Sequence, residues 1–190
     1  MKHSILSHFI KNPKSTGAIA PSSSFLAKKM VMGLDFQNNK NIVELGPGTG
    51  AITTQIIEQI SEYNNFLGIE LNEKIHHYVS MRFPQHKIIL DNAVNLPKII
   101  KKENIVPIDI VISGLPWAIF PGDLQDQILS AVVQSLKDDG IFSTFAYIHG
   151  YVLPAAKRFK HKLYKHFSKV EKSSIIWKNI PPAYIYKCTK

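Results

Sequence analysis

The segment Val43-Glu44-Leu45-Gly46-Pro47-Gly48-Thr49-Gly50 sets an acid and three alternating glycines between an apolar run and an amphipathic one. That is the pattern of a strand turning tightly into a helix, with glycines that let a ligand approach the backbone. Two ligands fit such a turn. Gly46, Gly48 and Ala51 satisfy the looser dinucleotide fingerprint, and Glu70, with Leu71 beside it, stands about twenty residues on, where a ribose-binding acid belongs in either case. Glu44 separates them: a carboxylate just before the turn repels a pyrophosphate, whereas S-adenosylmethionine brings an ammonium and a sulfonium there. Asp91-Asn92-Ala93 follows the next strand-like run and can address an adenine edge. Taken singly, each acid also reads as a strand-end polar residue in solvent; their agreement with the loop favours the methyl donor.

If the loop holds a methyl donor, the acceptor belongs at a neighbouring strand end, where Ser113-Gly114-Leu115-Pro116-Trp117 lies. Methylating an amine requires oxygens to hold it, a lone pair freed of its proton, and in-line placement against the sulfonium methyl. Backbone carbonyls of this loop can supply the oxygens. Trp117 either offers an aromatic face to a cationic amine or fills a half-buried core position. Tyr147, near the end of a later strand, is a second candidate for orienting the amine. Direct displacement needs no covalent intermediate, so the lack of a nucleophile or metal constellation is consistent with it. His76 and His77 are adjacent, project differently, and read as helix-surface residues.

These loops need a frame. Residues 41–45, 65–69, 87–90, 109–113 and 140–146 read as strands alternating with helix-like segments, the pattern of a parallel sheet covered by helices. A helix over 51–61 places Ile52, Ile56 and Ile60 on one stripe, and another over 123–136 does so with Leu124, Ile128, Val132 and Leu136, stopping near Gly140. A basic helix-like stretch over 153–165 precedes two strand-like runs, 170–177 and 183–187, separated by Asn179-Ile180-Pro181-Pro182. A closing antiparallel pair suits them.

At 190 residues the chain suits one α/β domain. Its single cysteine, Cys188, has no intramolecular disulfide partner, which fits a reducing compartment. No run approaches the roughly 20 apolar residues of a spanning helix, and residues 1–10 lack the continuous apolar centre of a signal peptide. The net charge of +9 divides unevenly: +5 over residues 1–40, −5 over 41–149 and +9 over 150–190. Basic ends around an acidic middle point to a polyanionic surface, either membrane phosphate or nucleic acid.

The glycine loop, Gly114-Leu115-Pro116 and the two flanks resemble the bacterial phospholipid N-methyltransferases, the peripheral type that methylates phosphatidylethanolamine, over nearly the whole chain. Ser15-Thr16-Gly17-Ala18-Ile19-Ala20-Pro21-Ser22-Ser23 is similar to that family's segment closing over the donor's methionine end. Ile176-Trp177-Lys178-Asn179-Ile180-Pro181-Pro182-Ala183 is similar to its Trp-basic-Asn-apolar-Pro-Pro-Ala signature. The loop is shared by many methyltransferases; the flanks are far more specific.

The resemblance implies a Rossmann-like class I methyltransferase: a seven-stranded, mostly parallel sheet with a C-terminal antiparallel hairpin, preceded by amphipathic and lid helices over 1–35. It implies S-adenosylmethionine as donor, S-adenosylhomocysteine as product, and phosphatidylethanolamine and its methylated forms as acceptors. It also implies a peripheral position on the inner face of the cytoplasmic membrane. Residues 1–12 agree with a membrane-binding helix, since Ile5, Leu6, Phe9 and Ile10 share one face while Lys2 and Lys11 lie elsewhere. A helix packed on its own domain is the alternative. Lys157, Arg158, Lys160, Lys162, Lys165 and Lys169 would meet lipid phosphate, or else form a solvated face.

Two departures matter. Asp91-Asn92-Ala93 replaces the usual Gly-Asp-Ala, leaving open which side chain contacts adenine. Gly114 stands where the related ribosomal RNA adenine dimethyltransferases carry Asn, which argues against a nucleic-acid base as acceptor. An RNA methyltransferase is the competing reading, in which the basic ends bind phosphates. A non-catalytic membrane-surface protein is a third, disfavoured by the intact loop glycines and acids.

Overall fold

The computed structural model describes residues 23–190. They form α1 (Ser24–Val31), β1 (Asn41–Leu45), α2 (Ala51–Ile57), β2 (Asn65–Glu70), α3 (Glu73–Arg82), β3 (Lys87–Leu90), α4 (Leu96–Lys102), β4 (Ile108–Ser113), α5 (Gly122–Ser135), β5 (Leu136–Tyr147), α6 (Pro154–His166), β6 (Lys169–Lys172) and β7 (Ala183–Thr189). One seven-stranded sheet runs in the order β3-β2-β1-β4-β5-β7-β6. Strands β1 to β5 are parallel, and β7 lies antiparallel between β5 and β6. The mostly parallel sheet and closing antiparallel pair expected from the sequence are both present.

The chain moves outward from β1 to β3, then returns to lay β4 on the other side of β1. That reversal leaves a crevice beyond the C-terminal ends of β1 and β4, where open α/β sheets bind ligands. Alternation along the strands sends side chains to opposite layers. Val43, Leu45, Leu67, Ile69 and Val111 face α4, α5 and α6, whereas Ile42, Phe66, Ile110 and Ile112 pack with α1 and α2. Glu44 shares the second face with Ile42 and is fully buried there.

Three boundaries differ from the sequence reading by more than two residues. The first helix ends at Ile57 rather than 61, although Ile60 still packs on the core. The expected stop at Gly140 is not a helix end: α5 ends at Ser135, β5 begins at Leu136, and the register with β4 shifts, Leu136 facing Ile108 and Ile141 facing Ile110. Gly140 lies inside this irregularity, after Asp139 at φ 61°, while Lys137 pairs with Asp109 and so holds the displaced segment to β4. The expected strand over 170–177 ends at Lys172. Beyond it the Ser173 hydroxyl accepts the Ile185 N–H at 2.9 Å, so a side chain takes the place of a ladder carbonyl. Ile176 then makes an isolated bridge to Ala183.

The two specific flanks meet. Ser23 caps α1, accepting from Leu26 N–H at 3.2 Å, and its own N–H and hydroxyl both donate to Asn179 Oδ1, at 3.2 and 2.6 Å. Asn179 is buried and donates to the Pro181 carbonyl. The expected helix over 1–12 and the segment 15–22, including Ala20, Pro21 and Ser22, lie outside the described residues.

Candidate active site

A cavity of about 310 Å³ occupies the crevice at the strand ends. Its first wall is the turn after β1. Gly46, Gly48 and Gly50 have φ of 73°, 58° and 85°, the left-handed region in which a side chain would be strained. Gly46 N–H donates to Ile69 O, tying the turn to β2, and Gly114 N–H donates to Leu45 O, tying β4 to β1. Gly114 is held close: a Cβ there would sit 2.7 Å from the Gly46 carbonyl oxygen. The missing side chain at 114 is thus a packing requirement of the two loops.

The polar side of the cavity is built from Gly46, Pro47, Gly48, Thr49, Glu70 and Leu71, with Asp91 and Ala93 beyond. Glu70 accepts from Gly48 N–H at 3.3 Å and from Asn72 N–H at 2.9 Å. Burial raises its pKa above the ordinary carboxyl value, opposed by those backbone donors. Asp91 accepts from Asn92 N–H and from the Asn95 amide at 2.7 Å while facing the cavity. Asn92 instead caps the following turn, accepting from Val94 N–H at 3.1 Å. Geometry therefore distinguishes the pair: Asp91 is wall, Asn92 is brace.

Glu44, Gly50 and Ser113 are outside the cavity lining. Glu44 lies under the turn, where Thr53 donates to its Oε2 at 2.7 Å and its Oε1 has no partner. Burial, reinforced by the nearby Glu70, pushes its carboxyl up to about 8. Glu44 thus lies beneath the turn and off the cavity wall, and burial opposes its charge in the ligand-free chain. Ser23 sits at the α1–Asn179 contact.

The other side is apolar. Gly114, Leu115, Ile119, Phe145 and Leu153 line it, together with Tyr147 and His149. Tyr147 is half-buried, edge-on to Phe145 and stacked on His149 at 5.5 Å; burial raises its hydroxyl pKa. The Leu115 and Pro116 carbonyls accept Trp117 and Ile119 N–H groups, leaving each oxygen a second lone pair. Trp117 is only 2% exposed. Its ring stacks on Phe159 at 4.4 Å, meets Phe120 and Phe142 edge-on, and donates from Nε1 to Ser113 Oγ at 3.1 Å. Of the two sequence readings of Trp117, the packed core position fits this burial, with Phe159 stacked on the ring, although the residue also borders the cavity.

Sequence reasoning missed His149, Leu153 and Gln125. Gln125 is buried and donates to the Trp117, Phe120 and Ala155 carbonyls, holding the acceptor loop from below. A polar residue between Leu124 and Ile128 on an apolar helix face was its signal. Among the described residues no group of three His, Cys, Asp or Glu could hold a metal, and no helix is long and apolar enough to cross a membrane. His76 bonds to the Ile88 carbonyl. Of the basic residues on and after α6, Lys162 pairs with Asp126 at 2.8 Å and Lys169 with Glu171 at 3.0 Å.

No family model matches the chain. Ornithine lipid N-methyltransferase of Singulisphaera acidiphila is 27% identical over 186 residues, 96% of this chain and 93% of that protein. Ribosomal RNA small subunit methyltransferase A of Mycoplasmoides gallisepticum is 24% identical over 145 residues, 72% of this chain and 53% of that protein, so the match spans about half of it. Among solved structures, the O-methyltransferase from Bacillus cereus in complex with SAH superposes with a TM-score of 0.68 at 14% identity, covering 100% of this chain and 92% of that one. The fold is the Rossmann-like fold of the class I S-adenosylmethionine-dependent methyltransferases.

S-adenosylmethionine is the cofactor that goes with this fold, and the cavity fits it. Left-handed glycines open the backbone and two strand-end acids, Glu70 and Asp91, line the cavity.

Proposed function

We propose that the chain is an S-adenosylmethionine-dependent N-methyltransferase of a membrane aminolipid, with phosphatidylethanolamine and its methylated forms as acceptors. The observation that carries this reading is the division of the cavity: a polar wall beside a wall of Leu115, Ile119, Phe145 and Leu153. An apolar acceptor side suits a lipid headgroup with its adjoining chain. The relative from S. acidiphila supports a lipid and makes an ornithine lipid the alternative acceptor.

The methyl donor supplies an electrophilic methyl on a sulfonium. Glu70 would accept hydrogen bonds from the donor's ribose, Asp91 would address its adenine edge, and the Gly46–Gly50 turn would receive its amino-acid portion. Ala20, Pro21, Ser22 and Ser23 are assigned to the same end by the family resemblance alone. Leu115 and Pro116 carbonyls hold the acceptor amine with their second lone pairs, and Tyr147 orients it. A cavity walled in this way works by positioning and by excluding water. The protein acts peripherally, on the inner face of the cytoplasmic membrane, with residues 1–12 and the basic C-terminal region on the anionic surface.

The RNA reading draws on the M. gallisepticum match. It is weakened by Gly114, where the Gly46 carbonyl leaves no room for an asparagine without moving backbone. The test is purified protein with labelled S-adenosylmethionine offered phosphatidylethanolamine vesicles, ornithine-lipid vesicles, or RNA. Label is expected in phosphatidylethanolamine; label confined to ornithine lipid corrects the acceptor, and label in RNA but never in lipid overturns the reading.

A further inference from the structure

Away from the cavity, four large apolar side chains that stand open to solvent line one groove, Phe25 (49% exposed), Met32 (51%), Ile175 (39%) and Trp177 (69%), and Ile180 (84%) is exposed three residues beyond Trp177. Phe25 and Met32 come from α1 and its end; the others come from the loop between β6 and β7. Solitary exposed apolar residues need no explanation, but a cluster of this kind marks an interaction surface. Lys29, Lys172, Lys178 and Lys187 line the same groove against a single acid, Glu171. Two of the ammonium groups lie on the apolar residues, Lys178 Nζ 4.8 Å from the Phe25 ring centre and Lys29 Nζ 3.7 Å from Met32 Sδ, while Lys187 donates to the Met32 carbonyl and Lys172 Nζ lies 3.9 Å from the Tyr184 ring centre.

The protruding loop is held in place. Asn179 is buried and carries the Ser23 contacts, Asn179 N–H donates to Ile176 O, and Ile176 N–H donates to Ala183 O. Trp177 and Ile180 thus project from a braced turn. The same turn reaches the cavity: Ile148 N–H donates to Pro182 O at 2.9 Å, and Ala183 pairs with Tyr147. The loop that carries Trp177 and Ile180 is thereby joined to the strand end that carries Tyr147.

We propose that Phe25, Met32, Ile175, Trp177 and Ile180, ringed by Lys29, Lys172, Lys178 and Lys187, form a docking face for an anionic phospholipid bilayer. Charge complementarity selects this occupant: lysines meet lipid phosphate while indole and isoleucine enter the interfacial layer, a position indole favours. The face is distinct from residues 1–12 and from α6. It rests on the aminolipid reading, since it explains how a lipid headgroup reaches the cavity mouth.

Trp177 reports on the proposal directly, because the other tryptophan, Trp117, is buried. Full-length protein is mixed with phosphatidylglycerol-containing vesicles, with or without bromine-labelled acyl chains. Trp177 emission is expected to shift to the blue and be quenched by bromine, both lost in Trp177→Phe. Trp177→Ser combined with Ile180→Ser is expected to weaken vesicle co-sedimentation by about tenfold or more while leaving melting temperature and methylation of detergent-dispersed aminolipid unchanged. Emission unmoved by vesicles, equal binding to purely phosphatidylcholine vesicles, or displacement from vesicles by RNA overturns the docking face. Docking through Trp177 without methylation of any aminolipid leaves this face standing and removes the functional reading; lipid methylation with Trp177 still in water does the reverse.

Discussion

On one side of the cavity, β1, β2 and β3 end in Gly46, Glu70 and Asp91; on the other, β4 and β5 end in Gly114 and Tyr147. The first side is shaped by backbone geometry and short-range hydrogen bonds: left-handed glycines, Glu70 on Gly48 N–H, Asp91 on its own turn. The second is shaped by burial at long range, with Trp117 on Phe159, Gln125 under the loop, and Tyr147 on Phe145. The contrast teaches that the donor side tolerates little change in residue type, while the acceptor side depends on a packed scaffold beneath it.

The sharpest way to break the comparison is Trp117. If it belongs to the scaffold, Trp117→Ala costs about 3–5 kcal/mol of stability. Trp117→Phe, which keeps the ring on Phe159 but loses the bond to Ser113, costs about 1 kcal/mol beyond its lost volume. Denaturant melts measure both. A well-folded Trp117→Ala whose defect is confined to acceptor KM would return Trp117 to the amine.

Next is the contact between the two sides. Gly114→Ala puts a methyl where the Gly46 carbonyl stands, so either β4's loop or the glycine turn must shift. Displacement on the order of 1 Å between reacting groups costs about 100-fold in kcat. Donor affinity measured by calorimetry is expected to fall far less. Equal losses in both would mean that the two walls move as one body.

Much of the donor side was legible because its signals are local. Gly46, Glu70 and Asp91 each follow a short apolar run, and that pattern needs no knowledge of the fold to be seen. The acceptor side was legible only as a location. Nothing near Trp117 in the sequence discloses Phe159 across its face, since that contact is made by a helix some forty residues on. Glu44 was visible as an acid, yet its burial depends on α2 and Thr53 closing over β1, so its protonation was not. The β5 start was misplaced because Asp138-Asp139-Gly140 reads as a turn, while the ion pair of Lys137 with Asp109 carries the strand through it.

Glu44→Gln tests the donor side from beneath. The folded carboxyl titrates near 8 against a reference of 4.5. Between those values the folded chain binds more protons than the unfolded one, so apo stability falls as pH rises through this window. Glutamine removes that slope and still accepts from Thr53, though its –NH2 is then buried at the Oε1 position, where no acceptor meets it. A net gain of about 1–2 kcal/mol at pH 8 is expected, shrinking towards pH 5. Melting temperatures across pH 5–8 measure it, and parallel curves for the two proteins would show that Glu44 is ionised throughout. Donor affinity of the same variant, by calorimetry, separates a binding role for the carboxylate from a structural one.

The smallest effect concerns Tyr147. Burial raises its hydroxyl pKa, so it stays protonated at neutral pH; on the proposed reading it would bring the amine a ring face and a hydroxyl dipole. A ring face is worth about 0.5–1 kcal/mol to a cation at a partly exposed site. Tyr147→Phe keeps that face and is expected to change acceptor KM by less than about twofold. Tyr147→Ala removes it, along with the support it gives His149, and is expected to raise acceptor KM about fivefold with donor affinity intact. If Tyr147→Phe is instead as damaging as Tyr147→Ala, the hydroxyl is the working group. The acceptor wall would then contain a specific polar contact like those of the donor wall, and the contrast between the two would narrow.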